Sequence, residues 1–395
     1  MKIHFVINQD LFDGSAHALY CYRNCWWLAT TAPAGHSVEL IFPGENRWSR
    51  CDETQHAAEH FRLGESSLKV TALPAWRRKK HARGLTLNFW FTSHARRHLR
   101  TSAKEGDVFI TASFPKLLKA FASTERLRTQ LRWIYEVHQL AKLDFGAGSA
   151  RDKTEAEALA NADAFVTTTD ALKALLLEGF ATKPCVNLGL ACGGLAGSVS
   201  MPRPFSHGLV LGYLGSVYRG QGVDWLVENW SSVCSGLNQP ARLLIAGGDV
   251  REVEVLRRKA EEHSAGNVEF LGKVPQAEIP DFLARVNALV IPATSEGRMP
   301  YVAITKAYDY LGYQRPVVTA SIPSITEVMR SGQEAVTFTP CTVESLVEGL
   351  KLLLAKPTLG DDLVVASGAR ALKLDWQSRA AKYWSWLLEV AARRS

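Results

Sequence analysis

The residues best suited to chemistry lie in the second half of the chain. Gly212-Tyr-Leu-Gly215 ends an apolar run, and Ser216-Val-Tyr-Arg-Gly-Gln-Gly222 leads into a helical pattern from Val223. A glycine-rich turn feeding a helix N-terminus offers backbone N–H groups and the positive end of a helix dipole, both suited to phosphate. Leu243-Leu-Ile-Ala-Gly247-Gly248-Asp249 ends a second run in a similar turn. Next come Val268-Glu-Phe-Leu-Gly272-Lys273-Val274, then Ala288-Leu-Val-Ile-Pro-Ala-Thr-Ser-Glu296-Gly297 followed by Arg298. Lys306-Ala-Tyr-Asp309-Tyr-Leu-Gly-Tyr-Gln-Arg-Pro-Val-Val318 closes the set. Each segment also has a plain structural reading. Gly247 and Gly248 close a strand, Glu296-Gly297 is a turn with a solvated acid, and Lys306 with Asp309 forms a surface pair worth roughly a few tenths of a kcal/mol.

In the first half, Tyr135-Glu-Val-His138 ends a strand in a histidine, a residue that by default fills a structural role. Phe12-Asp-Gly14-Ser-Ala holds a short turn before a helical stretch. Residues 1–200 carry 25 Lys or Arg against 19 Asp or Glu, whereas 201–395 carry 21 against 20. The excess concentrates in Ser66–Lys104, which has ten bases and no acid. It contains Arg77-Arg78-Lys79-Lys80-His81, Phe89-Trp90-Phe91 and Arg96-Arg97-His98 with Arg100. Such a segment suits anionic lipid headgroups or a phosphorylated acceptor. The alternative is a solvated helix face with Phe89–Phe91 in the core. No nucleic-acid motif accompanies the charge, so no nucleic acid is expected.

The elements that must position these residues alternate strand with helix. Strands are expected at Ile3–Ile7, Val38–Phe42, Leu68–Leu73, Asp107–Thr111, Trp133–Val137, Ala164–Thr168 and Cys185–Leu188. Between them helical patterns cover Ala16–Thr30, Thr54–Leu63, Leu87–Ser102, Thr154–Ala160 and Ala171–Glu178. After a breaker-rich linker, Cys192–His207, strands recur at Leu209–Leu214, Arg242–Ala246, Val268–Leu271, Ala288–Ile291, Val317–Ala320 and Ala335–Phe338. Their helices are Trp225–Val233, Val253–His263, Ile279–Ala284, Tyr301–Gly312, Ser324–Arg330 and Val343–Leu354. Most strands read as continuous apolar runs, the pattern of parallel sheets covered on both faces. The α/β expectation is therefore two Rossmann-like, doubly wound domains facing across a cleft. Their spans are 1–200 and 201–375, with a helix over 376–395 that crosses back to the first.

Composition agrees. With 47% apolar and 22% charged among 395 residues, the chain builds real cores, and disordered or fibrous classes are excluded. After Lys2, Ile3–Asn8 is one short strand rather than a signal-peptide core. The longest charge-free span, Pro184–Pro202, is glycine-rich and reads as loop. Seven cysteines, at 21, 25, 51, 185, 192, 234 and 341, form no CxxC pair. That pattern fits a reducing cytoplasm, with peripheral contact at the inner membrane face through 66–104.

Taken in order, the second-half segments resemble the donor-binding half of GT-B glycosyltransferases, in particular the retaining family-4 type, the glycosyl transferases group 1. That family carries an I-x-G-G strand end, an F-x-G-x-V strand end, a P-x-x-x-E-G loop and an E-Y-L/M-x-x-x-x-P-V-V helix. The likeness covers about 205–340, and Tyr135–His138 resembles the strand end with the family's active-site histidine. The resemblance implies transfer of a sugar from a nucleoside-diphosphate sugar, UDP or GDP type, to an acceptor hydroxyl with retention. The donor is a substrate, so no cofactor or metal is implied, and the acceptor, lipid-linked or otherwise anionic, enters from the first domain.

Residue by residue, the resemblance puts His138 beside the donor sugar, Asp309 on the ribose hydroxyls, and the backbone of Gly272, Lys273 and Val274 along the base. Gly14 corresponds to the turn approaching the diphosphate from the first domain, and Gly215 and Gly247 to the second domain's strand-end turns. Three features depart from the family. Its Arg and Lys beside the glycine turn fall on Ser216 and Gln221, leaving Arg219, helped by Arg298 or Lys306, to neutralise the leaving diphosphate. The acid eight residues before Asp309 is Tyr301, and Glu296, next to Gly297, lies five residues further back. Asp309 is itself shorter than the usual glutamate. These departures keep two alternatives open: a catalytically weakened nucleotide-sugar-binding protein, and a nucleotide-sugar epimerase.

Overall fold

The computed structural model describes residues 1–45, 49–75, 89–112, 114–193, 205, 208–218 and 220–392. Arg77–His81, Arg219 and most of the expected linker Cys192–His207 lie outside the described residues. The chain divides into two compact units. The first comprises Met1–Thr168, Leu172–Gly189 and Trp376–Ser395; the second comprises Thr169–Ala171 and Leu190–Asp375.

Among the described residues of the first unit, eight strands form one sheet. They are β1 (Lys2–Val6), β2 (Ser37–Glu45), β3 (Cys51–Asp52), β4 (Lys69–Ala75), β5 (Val108–Ala112), β6 (Arg132–Val137), β7 (Ala164–Thr167) and β8 (Cys185–Asn187). The order is β3-β4-β2-β1-β5-β6-β7-β8. Every pairing is parallel except β3 with β4, a two-residue addition with no sequence pattern long enough to announce it. The order reverses between β1 and β5. Connections leave these two strands in opposite directions, which opens a crevice beyond their carboxyl ends.

The second unit repeats this plan with β9 (Leu209–Leu214), β10 (Ala241–Ala246), β11 (Val268–Gly272), β12 (Ala288–Ile291), β13 (Val317–Ala320) and β14 (Val336–Phe338). All run parallel in the order β11-β10-β9-β12-β13-β14, with the reversal between β9 and β12. Leu209, Leu211 and Tyr213 enter one buried cluster while Val210 enters another. Alternate residues of a strand point to opposite faces, so both faces are covered, which is why the strand sequences are continuously apolar.

Several helices differ from the pattern-based reading. Trp225–Val233 belongs to two helices, Val223–Glu228 and Trp230–Leu237, meeting at Asn229. The helix expected from Tyr301 starts at Thr305. The N–H groups of Tyr301 and Val302 both return to the Arg298 carbonyl, making a turn in place of helix. Helices at Pro115–Ala122 and Pro357–Lys373 begin with a proline, which acts here as a first-turn residue and not as a breaker. In the helix Phe89–Ser102, Phe91 is buried, but Phe89 and Trp90 are 84% and 60% exposed, so the aromatic triplet is not a core cluster. No helix among the described residues is long and apolar enough to cross a membrane.

The helix Trp376–Ala392 follows the second unit in sequence but belongs to the first, where it packs on the helix Ala16–Thr30. Ala380, Tyr383, Trp384, Leu387 and Val390 join the first unit's core, and the Trp384 indole N–H donates to the Leu28 carbonyl at 2.8 Å. Trp384→Ala removes a large buried ring and its hydrogen bond. We expect it to destabilise the first unit by about 3–5 kcal/mol, read as a lower first transition in scanning calorimetry with the second unit's transition unmoved.

Candidate functional site

In the second unit, the turns that follow β9, β10 and β12 pack backbone to backbone at the strands' carboxyl ends. Gly215 has φ +141°, and a Cβ there would lie 2.3 Å from Lys306 Cε. Gly247, at φ +143°, would place a Cβ 1.8 Å from the Gly215 carbonyl oxygen. Only glycine accepts both the conformation and the approach. The Gly215 N–H donates to Ala246 at 2.8 Å and the Gly247 N–H to Gly272 at 2.6 Å, tying the ends of β9, β10 and β11 together.

Lys306 comes from the helix Thr305–Leu311 and is buried, 8% exposed, so it is not one half of a surface pair. Its amine occupies the room left by Gly215, donates to Gln221 Oε1 at 2.7 Å and lies 5.1 Å from the Tyr213 ring centre. Burial pushes its pKa down to about 8, against the pull of the Asp309 carboxylate. Buried Gln221 in turn donates through its amide to the Tyr218 hydroxyl at 2.7 Å, and the Arg298 guanidinium lies 5.8 Å from the Tyr218 ring. Asp309 is half-buried, with Oδ1 3.7 Å from where a Cβ on Gly193 would stand.

The structure therefore brings Gly215, Gln221, Gly247, Gly272, Lys306 and, through Tyr218, Arg298 into one connected group. Ser216 is exposed, its carbonyl accepting the Tyr213 hydroxyl. Lys273 is exposed and Val274 half-buried just past β11. Glu296 and Gly297 are exposed on the loop after β12, where the Glu296 charge acts on the Cys341 thiol.

In the first unit, Glu136 and His138 alternate along the end of β6 and so share a side of the strand. His138 Nε2 lies 3.5 Å from the Glu136 carboxylate, which is 1% exposed. Tyr20 and Asn24, both on the helix Ala16–Thr30, donate to that carboxylate at 3.1 Å each. Arg379 closes the group from the C-terminal helix. It stands 4.0 Å from Glu136 and donates to Asn24 at 2.6 Å, to Tyr20 at 2.6 Å and to the Gly189 carbonyl at 3.0 Å. Burial alone would raise the Glu136 pKa. The adjacent His138 and then the charge of Arg379 outweigh it and keep the group below the usual carboxylate range.

His17 lies 5.6 Å from the His138 ring. Burial first, then the His138 charge, pushes its pKa down to about 4, leaving it neutral at neutral pH. An imidazole oriented by a buried carboxylate can exchange hydrogen bonds with a hydroxyl through its other nitrogen. Gly14 has φ +74° and open space around it, one residue before Ser15, whose side chain caps the helix Ala16–Thr30 by accepting the Ala18 N–H.

Pattern reading singled out His138 but not its setting. Glu136 had a usable signal, the lone acid in a largely apolar strand, two residues from the histidine. Arg379 had none, because its partners come from the opposite end of the sequence.

The sequence matches the family described as "Glycosyl transferase 4-like domain" over residues 23–184 and the family described as "Glycosyl transferases group 1" over 208–356. No curated protein matches it. The fold is similar to sucrose-phosphate synthase from Thermosynechococcus elongatus, at TM-score 0.71, 16% identity and 99% coverage of both chains. It is also similar to Anabaena HepE in complex with UDP and glucose, at TM-score 0.68 and 12% identity over 98% of this chain and 100% of that one. The galactosyltransferase WaaB of the lipopolysaccharide outer core gives TM-score 0.70 at 13% identity, covering 98% and 99% of the two chains. With one family match on each unit and two parallel sheets of the kind these enzymes share, the chain belongs to the group 1 glycosyl transferases and has the GT-B fold.

Proposed function

We propose that this glycosyltransferase takes its sugar from a UDP- or GDP-type donor, passes it to an acceptor hydroxyl with retention, and needs no metal ion. The observation that carries this reading is the Lys306 amine, held by Gln221 against the glycine turn after β9. Ser216 and Gln221 stand where the family's cations are expected, and the Lys306 amine reaches Gln221 from a different helix. The complex of HepE with UDP-glucose supports the uridine form of the donor.

In the reaction, the bond from the anomeric carbon to the diphosphate oxygen breaks and a bond to the acceptor oxygen forms. The electron pair leaves with the diphosphate, which also takes the acceptor's proton. Groups that bind the developing charge better than the bound substrate are the ones that add rate. Lys306 and Arg298 have this role, with Arg219 as a further cation. Asp309 accepts from the ribose hydroxyls, the backbone of Gly272–Val274 lines the base, and His138 bonds a hydroxyl of the donor sugar. A protein that binds the donor and no longer turns it over is the competing reading, favoured by the uncharged Ser216 and Gln221.

We further propose that the acceptor is lipid-linked or otherwise anionic and that 66–104 touches the inner face of the membrane. The exposed Phe89 and Trp90, with exposed Arg97 and Arg100 on the same helix, support this contact.

Donor hydrolysis without acceptor separates a transferase from a passive binder, since release of UDP or GDP requires a stabilised leaving group. Lys306→Met should slow that release about 10²-fold while weakening donor binding less; unchanged release removes Lys306 from the mechanism. The lysine is charged below its pKa of about 8 and loses the proton as pH rises through that value. Diphosphate affinity should therefore fall between pH 7 and 9 in the parent and stay flat in Lys306→Met. Asp309→Asn should weaken donor binding about tenfold, or ~1.4 kcal/mol, by removing a charged hydrogen-bond acceptor; an unaltered dissociation constant would defeat the ribose assignment. On the membrane side, Trp90→Ser with Arg97→Gln should lower sedimentation with phosphatidylglycerol vesicles at low salt. Equal sedimentation would return this face to bulk solvent.

A further inference from the structure

We propose that a pocket in the first unit is the acceptor subsite and that it takes one uncharged, hydroxyl-rich ring, any lipid or phosphate on the acceptor remaining outside. The proposal rests on the chain's reading as a sugar transferase and adds the chemistry of the group that receives the sugar.

The pocket has a volume of about 200 Å³ and lies beyond the carboxyl ends of β1, β5 and β6. Asn8 follows β1, Phe114 follows β5, and Gln139 follows His138 after β6. It thus sits at the point where the strand order reverses, where doubly wound sheets bind ligands. Its size is below the roughly 300–1,000 Å³ of sites for drug-sized molecules, which suits a single small ring. Phe114 also lies 6.2 Å from His17, the neighbour of His138, so pocket and histidine share one end of the sheet.

The lining decides the chemistry. Two cations, Lys116 and Arg151, face two carboxylates, Asp144 and Glu155. An anionic ligand meets the carboxylates and a cationic one meets the bases, whereas hydroxyls donate to the first and accept from the second. The Arg151 guanidinium is seated 4.0 Å over the Phe145 ring, which fixes its plane and leaves its edge to donate. The Thr154 hydroxyl gives its proton to the Ala150 carbonyl at 2.7 Å, leaving its lone pairs as acceptors. The buried Oδ1 of Asn8 has no hydrogen-bond donor among the described residues, and an O–H group can supply one. Phe114 and Phe145 supply apolar faces for the C–H side of a sugar ring.

The test uses ligand-observed NMR on the full chain with methyl glycosides of the common hexoses, their octyl counterparts and glucose 6-phosphate. UDP and GDP binding are followed separately. At least one methyl hexoside should bind, its octyl form no worse, and glucose 6-phosphate more weakly. Arg151→Ala and Asn8→Leu should each weaken the hexoside at least fivefold. Failure of every methyl hexoside to bind overturns the proposal, as do preference for the sugar phosphate and indifference to both substitutions. An octyl glycoside that binds when no methyl glycoside does would mean that the pocket reads the chain and not the ring, and also overturns it. Hexoside binding with neither UDP nor GDP bound would leave the pocket standing and sink the transferase reading instead.

Discussion

The second unit's site depends on the contact between two backbones at Gly215 and Gly247. A Cβ on Gly247 would sit inside the van der Waals radius of the Gly215 carbonyl, and one on Gly215 would sit inside the Lys306 side chain. The absence of two methyl groups therefore does two jobs. It lets the turns after β9 and β10 close on each other, and it creates the space in which a lysine amine can lie at the base of a glycine turn. The amine's neighbours, Gln221 and Asp309, offset part of the cost of taking it out of water, and the remaining cost appears as its lowered pKa.

The two units treat charge in opposite ways. In the first, a buried carboxylate is kept ionised by an arginine, a tyrosine, an asparagine and a nearby histidine. In the second, a buried amine is kept close to its titration point, so its charge responds to whatever anion arrives. Removing one member of the first group strands a charge, and that kind of network tolerates few substitutions. The second is adjustable, and an approaching phosphate would strengthen the very charge that attracts it.

Much of this was legible in the sequence. Leu209–Leu214, Ala288–Ile291 and Val317–Ala320 are largely apolar runs flanked by Gly, Pro, Asn or Ser, and the structure keeps the same ends. The strand-end glycines stood out because side chains rarely accept such turns. Lys306 was singled out, but its spacing of three from Asp309 on a helix says nothing about a glycine folded over it from another strand. Asn8, Arg151 and Arg379 carried no pattern at all. Each is a single polar residue whose meaning comes from partners distant in sequence, and local periodicity holds no trace of such partners. The helices Pro115–Ala122 and Pro357–Lys373 were not among the expected elements; proline, which breaks a helix interior, is favoured at the first turn where both begin.

The helix carrying Arg379 also bears on how the chain comes together. Domains emerging from the ribosome tend to fold in order, the earlier before the later. Here the earlier unit lacks Ala380, Tyr383 and Trp384 of its core, and the guanidinium that faces Glu136, until translation has passed through the whole of the later one. The nascent first sheet therefore waits, its Glu136 carboxylate only partly matched, until the last helix of the chain has been made.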